Sequence, residues 1–160
     1  MDEAMMRKLR QLFQAQVIGS LGTQDAGQPY VSMVPFAVIA DEPAFVIHVS
    51  ALAAHTRHML ADPQVSLLVV MPPLPGVSPQ ATARVTIQGE ATRAAESTPE
   101  HEQAKEAYLE RFPESAQTFE LTDFALFVIH PTTIRFIGGF AEAKTISPEG
   151  LSRILQSGGE

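Results

Sequence analysis

At 160 residues, 45% of them hydrophobic, the chain is long enough to fold around one substantial core, and we interpret residues 1–160 as a single domain. The net charge of −7 argues against nucleic-acid binding, which needs a basic face, and the absence of cysteine excludes disulfides and thiolate chemistry. Charged residues interrupt the N-terminal segment, and no apolar run reaches the roughly 20 residues of a membrane span. A cytoplasmic protein without membrane contact is therefore expected.

The first part of the chain predicts a helix followed by a β-hairpin. Apolar residues recur at helical spacing over about residues 2–16. Residues 17–23 and 29–39 have the composition of strands, and the turn residues between them are typical of a hairpin. Pro35, within the second strand, predicts an edge position, a bulge or an interruption of the hydrogen-bond ladder.

Residues 45–71 predict a strand, a short helix and a second strand. Residues 45–49 are rich in aromatic and β-branched types, and residues 65–71 form a nearly continuous apolar run. In the helix between them, the spacing of Leu52, His55 and Met59 predicts one shared face. Pro63 is expected to end this helix, because proline disfavours helical backbone in the residue before it.

The start of this short helix carries the most distinctive group of polar residues in the chain. Ser50, His55, Thr56 and Arg57 bring two hydroxyls, an imidazole and a guanidinium to a helix N-terminus. Such an end already offers free N–H groups and the positive end of a dipole, which suits a phosphate. The alternative is a capping serine followed by a solvated polar face.

The second half of the chain predicts further strands and two more helices. A proline-rich loop precedes a long strand over residues 81–95, and a helix over residues 98–111, charged on most sides, is interpreted as a solvated surface helix. One more turn is predicted at 114–119. Residues 123–130 and 133–137 predict a pair of strands joined at Pro131, and Ser147 is expected to cap a last helix over 148–156. About seven strands with short connections favour an antiparallel β-barrel with peripheral helices.

The motifs of several enzyme classes are absent. The chain has no nucleotide P-loop, no Gly-x-Gly-x-x-Gly fingerprint and no Gly-x-Ser-x-Gly elbow. His55 and His58 lie three residues apart without a nearby carboxylate, so no metal site is predicted. His48 and His130 fall within predicted strands and are interpreted as structural, and no residue stands out as a catalytic acid or base.

Several segments, in this order, resemble the pyridoxamine 5′-phosphate oxidase-like, FMN-binding split barrels. They are GQPYVSMVPF, ALAAHTRHML, ADPQVSLLV and ARVTIQGEA. SALAAHT, DP-x-x-SLL, RVTIQG and GGFAEA are closer to the haem-utilisation branch of that family, and the resemblance covers about residues 17–143. It implies an antiparallel split barrel of the FMN-binding type.

The resemblance also implies where FMN would bind. Ser32, Met33 and Val34 match the strand whose backbone lies along the flavin ring, and Val49 and Ser50 match the strand end near the ribityl chain and phosphate. His55, Thr56 and Arg57 match the phosphate-binding segment. Arg84 matches a residue that reaches the ring from the partner subunit, so a homodimer is expected.

The chain also departs from the oxidase itself. The oxidase has a lysine in place of His55 and an arginine in place of Ser32, and RFIGGFAEAK lacks its C-terminal arginine–histidine cluster. A weaker phosphate contact and a different small-molecule substrate follow, so we expect a flavin-dependent oxidoreductase that does not oxidise pyridoxamine phosphate. The alternatives are a non-catalytic barrel and a haem-binding or haem-degrading protein. The histidines available to ligate haem iron are His48, His55, His58, His101 and His130.

Overall fold

The computed structural model describes residues 1–158 and confirms the antiparallel split barrel with peripheral helices. Residues 159 and 160 of the predicted domain lie outside the described part. The helices within it are α1 (Glu3–Ala15), α2 (Ala54–Ala61), α3 (Pro99–Arg111) and α4 (Pro148–Gln156). The strands are β1 (Ile18–Asp25), β2 (Gln28–Pro35), β3 (Ala37–Ile39), β4 (Ala44–Ser50), β5 (Gln64–Val70), β6 (Arg84–Arg93), β7 (Phe124–Gly139) and β8 (Glu142–Ile146).

The strands form one antiparallel sheet in the order β2-β1-β5-β6-β7-β4-β3, with β8 added beside β7. β1 and β2 form the predicted hairpin, in which Asp25 lies opposite Gln28. The predicted long strand over 29–39 is interrupted after Pro35, and buried Phe36 separates β2 from β3. Because β2 and β3 stand at opposite ends of the sheet order, this short connection requires the sheet to curl.

The main core fills the inside of the curled sheet. Side chains alternate along each strand, so every second residue of β1, β4, β5, β6 and β7 points inward. The amphipathic helix α1 closes one side with Leu9, Leu12 and Phe13, all nearly inaccessible to solvent. Burial of each such side chain contributes about 1.5–3 kcal/mol of hydrophobic stabilisation.

The prediction of two strands joined at Pro131 is wrong, because β7 continues through the proline. The ladder between β6 and β7 shifts register here, because Gln88 pairs with Thr133 and Gly89 pairs with Pro131, so Thr132 is the extra residue of a β-bulge. A Cβ at Gly89 would collide with the carbonyl of His130, so this bulge requires glycine. β8, which the sequence analysis did not identify, pairs with the end of β7.

The interpretation of α3 as a solvated helix is also wrong. Ala104 and Tyr108 of α3, with Phe112 after it, pack on the outer face of β3, β4 and β7. This second core includes Val46 and Leu126. The charged residues of α3 cover only its solvent side, so the sheet is buried on both faces in this region.

His48 lies at the edge of the second core, on the outer face of β4. Its imidazole stacks on Phe119 with ring centroids 3.9 Å apart and an interplanar angle of 6°. Tyr108 and Phe124 approach it at centroid distances of 5.7 Å and 5.3 Å. Burial, assisted by nearby His101, lowers the pKa of His48 to about 4.

This depressed pKa predicts a pH-dependent stability. Between pH 6.5 and about 4 the unfolded chain protonates His48 while the folded chain does not, so the unfolded state binds the additional proton. The free energy of unfolding should therefore fall with decreasing pH across this window, and it should fall less in His48→Phe than in the wild type. Urea unfolding at several pH values measures the difference, and identical pH dependence of the two proteins would contradict it.

Candidate functional site

The entrance to α2 has no side-chain cap. Its N-cap residue is Ala53, and Ser50 lies before the helix, where its Oγ accepts a hydrogen bond from the N–H of Leu52 (3.1 Å). The capping-serine alternative is therefore wrong. Because no side chain accepts from the first amides of this helix, its N-terminus remains suited to an anionic group.

The predicted shared face of α2 is only partly correct. Met59 is buried and His55 is half-buried, but Leu52 precedes the helix and is 79% exposed. The helix begins two residues later than the spacing predicted, because residues 51–53 form a turn whose Ala53 N–H donates to the carbonyl of Ser50. The end of the helix at Ala61, just before Asp62 and Pro63, is confirmed.

Thr56 fixes α2 to the end of β4. Its side chain is almost fully buried, and its hydroxyl donates to the carbonyl of Ser50 at 2.6 Å. The same carbonyl accepts from the N–H of Ala53. Thr56 therefore positions the helix entrance and does not present its hydroxyl to a ligand.

Arg57 is exposed and lies beside this entrance. Its Nη1 donates to the carbonyl of Leu52 at 3.0 Å, so the guanidinium extends over the turn between β4 and α2. This permanent positive charge adds to the positive end of the helix dipole. A phosphate or carboxylate placed here would meet both.

The fold brings His55 and Ser32 together from different parts of the chain. Ser32 Oγ and His55 Nδ1 are 2.9 Å apart, which orients the imidazole between α2 and β2. Burial lowers the pKa of His55, and the neighbouring His58 lowers it further, so the ring is neutral near pH 7. A neutral, oriented imidazole suits metal or iron ligation better than it suits charge pairing with a phosphate.

The predicted ring-binding residues lie on an edge strand. Within the described residues β2 pairs only with β1, so one backbone edge of Ser32, Met33 and Val34 has no neighbouring strand. Met33 is 62% exposed, whereas Val34 and Val49 are buried core residues. Val34 and Val49 can therefore contact a cofactor only through their backbone groups.

Arg84 is separate from the other predicted residues within one protomer. It begins β6, and β1 and β5 separate this strand from β2 in the sheet. Its guanidinium donates to the carbonyls of Gln80 and Thr82 at 3.1 Å and 2.9 Å, which fixes the 3₁₀ helix Pro79–Ala81 beside the strand.

A second histidine at the entrance, His58, is predicted only as one of the five histidines available to ligate haem iron. His58 Nδ1 lies 2.8 Å from the hydroxyl of buried Thr23, and its Nε2 lies 3.9 Å from a carboxylate oxygen of Asp25. Tyr30 packs edge-on against the ring at a centroid distance of 5.1 Å. These contacts join α2 to the β1–β2 hairpin and hold His55 and Ser32 at a fixed separation.

The geometry of the site defines a class of protein. A curled antiparallel sheet carries an uncapped helix entrance, an exposed arginine, an oriented neutral histidine and an adjacent open strand edge. This is a split barrel whose candidate site suits a cofactor with an anionic group and a flat ring.

The comparisons give the family. The pyridoxamine 5′-phosphate oxidase family matches residues 5–138, and the chain belongs to it. The chain is 31% identical over 141 residues to the chloroplastic heme oxygenase HOZ of Arabidopsis thaliana, covering 86% of this chain and 41% of that protein. It is 29% identical over 133 residues to the heme oxygenase HutZ of Vibrio cholerae, covering 82% and 74% of the two chains.

A solved structure agrees with these relatives. The heme binding protein from Mycobacterium smegmatis superposes with a TM-score of 0.82 and 26% identity, over 96% of this chain and 62% of that one. The present chain therefore spans less than half of the Arabidopsis relative and less than two thirds of the mycobacterial chain. No helix in residues 1–158 is both long and apolar enough to span a membrane.

The Thr56 hydrogen bond generates a stability prediction. Thr56→Val keeps the shape of the buried side chain but removes the donor to Ser50, so the free energy of unfolding should fall by about 1 kcal/mol. Thr132→Val is the matched control, because its hydroxyl also donates to a backbone carbonyl but lies exposed, where water can replace it. Denaturant unfolding measures both variants. Equal losses of unfolding free energy in Thr56→Val and Thr132→Val would contradict a stabilising role for the buried Thr56 hydrogen bond.

Proposed function

We propose that this protein binds haem and acts as a haem-degrading oxidoreductase of the split-barrel family. The observation that carries the proposal is that the haem oxygenases HOZ and HutZ both align over more than four fifths of this chain. The fold similarity to a heme binding protein supports it. These relatives favour haem over the flavin-dependent oxidoreductase that the sequence predicts.

The candidate site offers two features that haem binding needs. An axial ligand is available in His55, whose Nδ1 contacts Ser32 and whose Nε2 has no hydrogen-bond partner among residues 1–158. The exposed apolar side chains of β2, Val31 and Met33, point to the face of the strand opposite Ser32 and do not belong to this site. Arg57 and the first amides of α2 suit a propionate carboxylate.

The other histidines fit axial ligation less well. His48 and His101 lie beside the second core, and His58 is held between Thr23 and Asp25. His130 is exposed and lies 3.3 Å from Glu100. We therefore assign the axial contact to His55 and the orientation of its ring to Ser32.

The haem and the protein residues would have different roles in the proposed reaction. Bound haem would supply the iron centre, while its oxidation would also require dioxygen and an external electron donor. The protein residues would bind and orient the group: His55 at the iron, Ser32 at the other ring nitrogen, and Arg57 at an anionic substituent. None of the nine predicted site residues is a carboxylic acid, so proton transfer by the chain itself has no assigned residue.

FMN binding is the second candidate, and the uncapped α2 entrance favours it. The same amides and Arg57 suit an FMN phosphate, and the open edge of β2 can accept the polar edge of a flavin ring. His55, whose ring is neutral near pH 7, replaces the lysine expected from the oxidase, which would weaken the phosphate contact.

Absorption spectra distinguish the two cofactors. Hemin titration should give a saturable Soret shift that His55→Ala abolishes. Ser32→Ala should weaken the hemin affinity about tenfold, because the contact of Ser32 with Nδ1 orients the His55 ring. His130→Ala is the control and should bind hemin like the wild type. A shift that survives His55→Ala would overturn the ligand assignment, and saturable FMN binding without saturable hemin binding would replace haem with FMN.

We further propose that the functional unit is a homodimer. Met33 of β2 lies opposite Ser20, which lies opposite Leu68, so these residues share the outer face of the sheet. Val31 and Val70, two residues along their strands, extend this face, and both are at least 38% exposed. A contiguous exposed apolar surface is typical of an interface, and pairing two such faces would bring Arg84 of β6 towards the partner's site.

The dimer proposal predicts a selective effect of charge. Met33→Asp should shift the protein from dimer to monomer in light scattering, because it places a carboxylate within the proposed apolar contact. Leu60→Asp is the matched control: Leu60 is also 62% exposed but lies on α2. Monomeric wild-type protein with hemin or FMN still bound would overturn the proposal.

A further inference from the structure

A cavity, here called the outer cavity, lies on the opposite side of β4 from the main core. It has a volume of about 300 Å³ and lies between α3, the 3₁₀ helix Pro113–Glu120 and the outer face of β4 and β7. It contains none of the nine residues predicted to bind FMN, and it does not include His55. A volume of this size is at the lower end of small-molecule pockets, which hold ligands from about 300 Å³ upwards.

The walls of the cavity are flat and apolar on one side. Phe119, Phe124 and Leu126 line it, together with the imidazole of His48 stacked on Phe119. His48 makes no hydrogen bond within residues 1–158, although it is half-buried. Because its pKa is lowered to about 4, His48 is neutral near pH 7 and offers one donor and one acceptor.

A second imidazole in the wall has an unsatisfied nitrogen. Nδ1 of His101 is buried and has no hydrogen-bond partner within the described chain. The nearest carboxylate oxygen, Oε1 of Glu102, is 3.7 Å away, which is too long for a hydrogen bond. A buried polar atom without a partner is uncommon in folded proteins, and a rotation of this ring towards the cavity would let a polar ligand atom satisfy it.

The charges around the cavity are arranged asymmetrically. Lys105 is half-buried, and its Nζ lies 5.4 Å from the centroid of the Phe119 ring. The side chain of Glu102 is 73% exposed, and Glu96 and Arg93 are also exposed, so water screens all three. The charge that acts most strongly on a ligand inside the cavity is therefore the lysine ammonium.

We propose that this cavity binds a small carboxylate with a flat apolar body. The carboxylate would contact Lys105 and the ring nitrogens of His48 and His101, and the apolar part would pack against Phe124 and Leu126. A cation is disfavoured, because Lys105 would repel it. A metal ion is disfavoured as well, since residues 1–158 contain no group of three suitable side chains arranged to hold one.

Nuclear magnetic resonance of the histidine rings tests the proposal with benzoate as the probe. Titration with benzoate should shift the ring signals of His48 and His101 saturably, whereas benzylamine, which has a similar ring but the opposite charge, should not. Lys105→Gln should weaken benzoate about tenfold, the usual scale for one charge-assisted contact. Lys144→Gln, the same change on exposed β8, should leave the affinity unchanged.

Three results would overturn the proposal. They are the absence of saturable shifts at His48 and His101, equal binding of benzylamine, and equal weakening by Lys105→Gln and Lys144→Gln. His101→Phe provides a second variant if Lys105→Gln does not fold, because its Nδ1 has no protein partner to lose. This variant should keep the folded spectrum and weaken benzoate, and undiminished affinity would contradict the assigned contact.

Discussion

The connection through Phe36 is the constraint on which the rest of the structure depends. β2 ends at Pro35 and β3 begins at Ala37, yet these strands occupy opposite ends of the sheet order. A single intervening residue can join them only if the sheet curls until its two ends approach each other. Phe36 is fully buried at that closure, with its ring 6.4 Å from Phe13 and 6.3 Å from Phe45. Three packed aromatic rings thus stabilise the curled form against an open sheet.

The same closure produces the candidate site. It brings β2, which precedes Phe36, close to α2, which follows β4, and so places Ser32 within 2.9 Å of His55. Two local devices then fix the arrangement: the Thr56 hydroxyl attaches α2 to β4, and the Thr23–His58 contact attaches it to β1. The strands β1, β2 and β4 therefore each supply one hydrogen bond that positions α2. This explains how a site built at a helix start and a strand edge can be rigid enough to orient a cofactor.

The sequence predicts well those features that depend on local pattern. The helical spacing in α1, the hairpin turn, the proline after α2 and the serine cap of α4 are all confirmed, because each is determined by neighbouring residues. The continuity of β7 could not be predicted in the same way. Pro131 is accommodated beside a bulge at Thr132, where Gly89, on a different strand, has no Cβ to collide with the carbonyl of His130. Such a compensation across strands has no signal within the segment that contains the proline.

The burial of α3 against the second core could not be predicted from its composition. Ala104, Tyr108 and Phe112 repeat at four-residue intervals, which is a legitimate apolar stripe, but the surrounding charges dominate the composition of the helix. The composition therefore predicts a solvated helix, although this narrow apolar stripe is enough to cover the sheet. The candidate site is likewise only partly predictable from local pattern. The residues around α2 could be identified from their types and spacing, whereas the Ser32–His55 contact, between residues 23 positions apart, depends on the closure at Phe36.

β4 separates the two regions to which we assign ligands. Adjacent residues of a strand point to opposite faces, so Val49 packs in the main core while His48 lines the outer cavity. The next residue, Ser50, supplies the carbonyl that holds Thr56 and thereby the entrance to α2. Three consecutive residues of one strand therefore contact the core, the outer cavity and the candidate cofactor site. Because their side chains face different surroundings, a substitution at His48 can alter the cavity without changing the contact of Ser50 with Thr56, which is a backbone contact. The two sites can consequently be tested separately in the same folded protein.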